Sequence, residues 1–148
     1  MALEHNIYQR TGSLRQLHHL QDLEISATSP KATLLFAGGA TIETMCLGNR
    51  DDDADVHFKF WNQADEPDPA ADYPHMTLLA PRLNGADIVK AIYEPRNDET
   101  YEGDESFWHF TGSLWVAAAV GAGLSTTAPD NSNPAFALFT LLLDSLTE

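Results

Sequence analysis

Residues 111–129 read TGSLWVAAAVGAGLSTTAP, the least polar stretch of an acidic chain. Four readings compete for it: a helix, a membrane hairpin, a glycine-rich phosphate loop, or a buried strand that runs into a turn. Alanine favours a helix by propensity. Against that, the run is short, Gly112 and Gly121 flank it, and its neighbours read as strands. A membrane helix needs roughly 18 or more apolar residues, and the run falls short. Gly121-Ala122-Gly123 opens like a dinucleotide fingerprint, but Thr126 stands where the third glycine belongs and no strand–helix–strand unit surrounds it. What remains is a strand over Ser113–Val120. Leu114, Val116, Ala118 and Val120 fall on one side, with Trp115, Ala117 and Ala119 on the other. Both sides are apolar, so the strand belongs at the centre of a sheet covered on both faces.

Working outward, the segments from Lys31 onward carry strand signals. DVHFKFWN alternates, with Val56, Phe58 and Phe60 on one face and His57, Lys59 and Trp61 on the other. ATIETMCLGN places Ile42, Thr44, Cys46 and Gly48 on one face by the same rule. KATLLFAGG, HMTLLAP, RLNGADIVKAIYEP, SFWHFTG and AFALFTLLLDS supply further short apolar runs between Gly, Pro, Asn and Asp turns. QADEPDPAADYP is a polar, proline-rich loop and RNDETYEGDE a solvated acidic one. No long amphipathic helix follows residue 30, so the expected fold is all-β, an antiparallel β-sandwich of the jelly-roll or immunoglobulin-like kind over residues 31–148. Residues 1–30 stand apart. Leu14, Leu17, Leu20 and Leu23 recur at steps of three, which suits either a short helix or an extended N-terminal arm ordered against a partner.

The chain has 148 residues, enough for one domain with a core of its own. Its formal charge is -14, with 8 Lys and Arg against 22 Asp and Glu. That balance argues against nucleic acid and anionic membranes, both of which recruit basic side chains. No apolar signal segment is expected at the start of the chain. The single cysteine, Cys46, excludes an intrachain disulfide and reads as a buried, unreactive thiol.

Chemistry-bearing motifs are sparse. Asp51, Asp53 and Asp55 have the 1-3-5 spacing that opens an EF-hand loop. Val56 then stands where the glycine belongs and Asn62 where the bidentate glutamate belongs, leaving a weak metal candidate in an acidic turn. The six histidines include no i, i+4 pair, and no GxSxG elbow is present. No catalytic residue and no cofactor is expected, and the chain does not read as an enzyme.

Two segments carry a resemblance. VHFKFWNQADEPDPAADYPHMTLLAP (56–81) is a strand ending in Lys-Phe-Trp-Asn, a loop with Ala64, Pro67, Asp72 and Pro74, and a short apolar strand. FTGSLWVAAAVGAGLSTTAP (110–129) presents Phe110, Gly112, Leu114, Ala117, Gly121, Thr127 and Ala128 in order. Together with Lys59, Phe60 and Trp61, this series resembles a β-sandwich domain found in many structural proteins of tailed bacteriophages, over roughly residues 31–144. The acidic stretch YEPRNDETYEGDE departs from that pattern, and residues 1–30 have no counterpart in it.

The resemblance implies a virion protein on the capsid surface: a decoration (cement) protein that binds the major capsid protein and bridges capsomers. Such proteins are homo-oligomers, trimers most often. Within that reading, Trp61, Trp108 and Phe110 are the aromatic anchors expected at the interface. The alternative is a tail-fibre or baseplate binding module, for which carbohydrate is one candidate ligand.

Overall fold

The computed structural model describes residues 4–23, 32–49, 54–81, 89–93, 109–124 and 135–145. Ten strands run through them: β1 (Glu4–Gln9), β2 (Arg15–Leu23), β3 (Thr33–Phe36), β4 (Ala40–Asn49), β5 (Val56–Asn62), β6 (Met76–Ala80), β7 (Val89–Tyr93), β8 (His109–Phe110), β9 (Leu114–Ala119) and β10 (Ala135–Leu143). No helix occurs among the described residues. One sheet has the order β1-β2-β10-β4-β7, with the short β8 also paired to β4; the second has the order β3-β9-β5-β6. Every pairing is antiparallel. The arrangement is consistent with a sandwich and is not a closed barrel.

A single hydrophobic cluster draws on both sheets. The second sheet contributes Val56, Phe58 and Phe60 of β5 and Leu114, Val116 and Ala118 of β9. The first contributes Ile42, Met45 and Leu47 of β4 and Ala137, Phe139 and Leu141 of β10. Phe60 and Phe139 meet edge-to-face, with centroids 5.8 Å apart and planes at 89°, the geometry that sets a ring's positive edge against its neighbour's negative face.

The stretch that opened the sequence reading forms β9, an interior strand between β3 and β5. Its alternate residues Trp115, Ala117 and Ala119 face away from the main core and join Trp61 and Ala32 in a second, smaller cluster. Both faces of this strand are therefore covered, as its composition requires.

The alternation expected of β4 does not hold along its length. Thr140 of β10 pairs with Thr44 and Leu141 with Ile42, so Glu43 is an extra residue in the ladder. This bulge reverses the phase. Ala40 and Ile42 point inward before it, and Met45 and Leu47 after it. Thr44, Cys46 and Gly48 therefore turn to the outer face, and Cys46 is half-buried there rather than sealed in the core. Gly48 pairs with Phe136, and a Cβ at Gly48 would run into the Phe136 ring. Gly48→Ala is expected to cost about 1–3 kcal/mol by overpacking. Chemical denaturation checks this, and trimming the ring with Phe136→Leu in the same chain should recover part of the loss.

Residues 14–23 form neither a helix nor a separate arm. β1 and β2 make a hairpin whose second strand pairs with β10, and Leu20 sits in the main core. Ser13 N–H donates to Arg10 C=O at 2.9 Å, and Gly12 supplies the positive φ (77°) at the third position of that turn. The leucine step of three is incidental. The buried side of β2 has period two and consists of Gln16, His18 and Leu20, while Leu14 and Leu17 are exposed. The boundary expected at residue 30 lies outside the described residues.

Candidate interaction surface

Of the resemblance-bearing residues, Lys59, Trp61 and Ala117 come together on the outer face of the second sheet, while Phe60, Phe110 and Leu114 lie in the main core. β5 pairs with β9 so that Lys59 faces Ala117, Trp61 faces Trp115 and Asn62 faces Leu114. The loop after β5 folds back over this face. Trp61 Nε1 donates to the Asp72 carbonyl at 2.9 Å, and Trp115 Nε1 to the Gln63 carbonyl at 2.9 Å. Gly112 N–H donates to Asn62 Oδ1 at 2.8 Å, and Gln63 and Ser113 exchange main-chain bonds.

Within the loop, Asp68 and Asp72 brace each other. The Asp68 carbonyl accepts from the Ala71 and Asp72 amides, and Asp72 Oδ2 accepts from the Asp68 amide. His75 N–H donates to Phe60 C=O at 2.7 Å and returns the chain to β6. A proline-rich loop, polar by composition, is thereby fixed by carbonyls that accept indole protons.

Lys59 lies in the same layer with no exposed surface, and its Nζ donates to the Gly123 carbonyl at 2.9 Å. Burial disfavours the ammonium and lowers its pKa. His57 is placed beside it. Its Nδ1 meets the Val120 carbonyl at 2.9 Å, so this nitrogen carries the proton.

These contacts decide where the expected anchors stand. Trp61 is 1% exposed and Phe110 fully buried, so neither presents a surface in the free chain. Trp61 is covered by the 63–75 loop, and Phe110 lies in the main core with the His75 ring against it at 5.3 Å. Both read as interface residues because sequence alternation cannot show that a loop returns to cover an outer face. Trp108 lies outside the described residues, as do Asp51 and Asp53; Asp55 is described and exposed. Among the described residues no three His, Cys, Asp or Glu side chains gather in a way that could hold a metal ion, and no helix is long and apolar enough to cross a membrane. His109 pairs with Asp144 at 2.8 Å on the surface.

Replacing Trp61 by Phe keeps a six-membered aromatic ring but removes the indole's five-membered ring and the N–H donor it carries. The Asp72 carbonyl then loses its partner, and a loss of about 1–2 kcal/mol is expected. Limited proteolysis should show faster cleavage between residues 63 and 75 in Trp61→Phe than in the parent chain.

A second arrangement, on the hairpin, was not legible in the sequence. Ser13 C=O accepts from Gln9 Nε2 at 2.8 Å, Gln9 Oε1 accepts from Gln16 Nε2 at 2.9 Å, and Gln16 Oε1 lies 2.8 Å from His18 Nε2. His18 Nδ1 lies 2.9 Å from His5 Nε2. A carbonyl only accepts, so the sense of the whole chain is set at Ser13: His18 carries its proton on Nε2, and its bare Nδ1 accepts from His5 Nε2–H. Burial, with the nearby His5 second, lowers the His18 pKa to about 4. The signal for this network was the polar alternation Gln16-His18, masked by the more conspicuous leucines.

Comparison with family models, with curated proteins and with solved structures finds no match.

The described surface carries its large apolar side chains in a few places: Ile7, Tyr8, Leu14 and Leu17 on the hairpin, Leu34, Leu79, and Tyr73 at 74% exposure. Four of these seven belong to β1, β2 and the turn between them, which makes the hairpin the densest exposed apolar region described.

Proposed function

We propose that the chain is a structural virion protein of a tailed bacteriophage, a decoration subunit that sits on the capsid surface and bridges capsomers. The observation that carries the reading is the unit built by β5, the 63–75 loop and β9. Lys59, Trp61, Pro67, Asp72, Gly112, Leu114 and Ala117, which carry the resemblance, lie together in it. A sheet whose outer face is tied down by its own main-chain carbonyls makes a rigid body, as a load-bearing subunit between capsomers requires. The finer topology, a jelly-roll or immunoglobulin-like sandwich, belongs to the same proposal. So do the major capsid protein as partner and a homo-oligomeric, trimeric state. The excess of carboxylates keeps decorated particles apart in solution. Of the three aromatic anchors, Trp108 stays in this reading.

Quantitative mass spectrometry of purified virions from the source culture tests it. The chain should be present at a stoichiometry comparable to that of the major capsid protein. Trace amounts, such as a tail tip would supply, would overturn the capsid placement in favour of a tail module.

A further inference from the structure

Among the described residues the two sheets end in four edges, one of them shared by β7 and the two-residue β8, and three carry features that discourage pairing with another strand. β3 has four residues and a register break between Leu34 and Phe36. β6 has five residues, with Pro74 just before it and Pro81 immediately after it. β7 has five residues and includes Lys90. Shortness, bulges, prolines and lysines are the usual means by which an edge is kept from pairing. β1 has none of them. Its six residues, EHNIYQ, hold an unbroken register against β2 and contain no proline, lysine or bulge.

The same strand carries one exposed apolar side chain on each of its faces, and no other described strand pairs with its outer edge. Ile7 is 52% exposed and Tyr8 58% exposed, and adjacent residues of a strand point to opposite faces. Tyr8 lies opposite the exposed Leu17. Charge singles out the hairpin as well. Residues 4–23 contain two acids, Glu4 and Asp22, and two arginines, Arg10 and Arg15, so the remainder of the chain carries the whole net charge of -14. Two copies repel each other through most of their surface and meet without that penalty here.

We infer that the β1 edge pairs with β1 of a second copy, antiparallel about a two-fold axis perpendicular to the sheet. The first sheets of both copies would then become one continuous sheet. An axis in that direction keeps each face on its own side, so paired residues must share a face. The strand can centre on Asn6 or on Ile7. Centred on Ile7, Glu4 comes opposite Arg10 of the second copy, Asn6 opposite Tyr8, and His5 opposite Gln9. This register adds an ion pair at each end and is the one assigned. The pair does not rest on the capsid reading, and its two-fold symmetry differs from the trimer that reading carries.

Sedimentation velocity of the full chain tests the pairing. The parent chain should be dimeric at micromolar concentrations, and Ile7→Lys, which sets two ammonium groups face to face at the axis, should weaken the dimer by roughly tenfold or more. Leu79→Lys on the β6 edge is the control and should leave the dimer unchanged. In a Cys46→Ser background, Ile7→Cys should form a disulfide-linked dimer on mild oxidation, while Tyr8→Cys, which does not face itself in this register, should not. A monomeric parent chain at all concentrations overturns the inference, as it would if the strand of a different protein occupied this edge. A dimer that Ile7→Lys leaves intact, or efficient cross-linking through Tyr8→Cys alone, overturns it too.

Discussion

Phe139→Ala should destabilise the protein by about 3–5 kcal/mol, the range for deleting a buried aromatic ring. Phe139 is fully buried on β10, the strand that joins the N-terminal hairpin to β4. Its ring is the partner of Phe60 across the two sheets. Truncation removes that edge-to-face contact and leaves a cavity between sheets that both continue past it, so neither can close the gap without shifting its neighbours. Phe60→Ala should cost a similar amount. The double variant should cost less than the two losses added, because each single change already removes the shared contact. Urea unfolding of the four proteins closes the cycle. Strict additivity would mean that the pair does not couple the sheets.

Acid should weaken the fold through His18 by roughly 3 kcal/mol. Its folded pKa of about 4 lies below the ordinary value of 6.5. Between those two values the unfolded chain binds a proton that the folded chain refuses. Stability is therefore full above pH 6.5, falls as the pH drops toward 4, and is wholly lost for this group below it. The larger cause is burial of the His18 ring, which disfavours its charged form; the second is His5, because protonating Nδ1 sets a second N–H against His5 Nε2–H. His5, also lowered by burial, acts in the same direction. Carboxylates titrate over part of this range, so the comparison of interest is between the parent chain and His18→Gln. The variant should lose stability less steeply between pH 6.5 and 4. Identical slopes would remove His18 from the account, and an NMR titration locates its pKa directly.

Much of the interior could be read from the residues. β5 and β9 alternate without interruption, and Val56-Phe58-Phe60 and Leu114-Val116-Ala118 all lie in the main core, whereas Val120, expected with the second set, follows the end of β9 and is only half-buried. Where the reading failed, a longer-range constraint had overridden a local pattern. In β4, the extra residue Glu43 reverses the alternation, and a bulge is set by the partner strand β10 rather than by the bulged sequence. In β2, four leucines suggested a helical stripe, but pairing with β1 and β10 selects the period-two set and buries Gln16 and His18 because each finds a hydrogen-bond partner. Trp61 and Phe110 looked like docking residues because an aromatic on an outer face is ambiguous until the covering segment is known. The Gln63–His75 segment gave no sign in composition that it would fold back onto the sheet.

The proposal that this chain decorates a phage capsid is tested most directly by cryo-electron microscopy of particles from the source culture. It predicts density for the two-sheet body repeating with the capsomers over the outer surface of the head. Heads with bare capsomers, whether the chain is confined to the tail or missing from the particle, would contradict it.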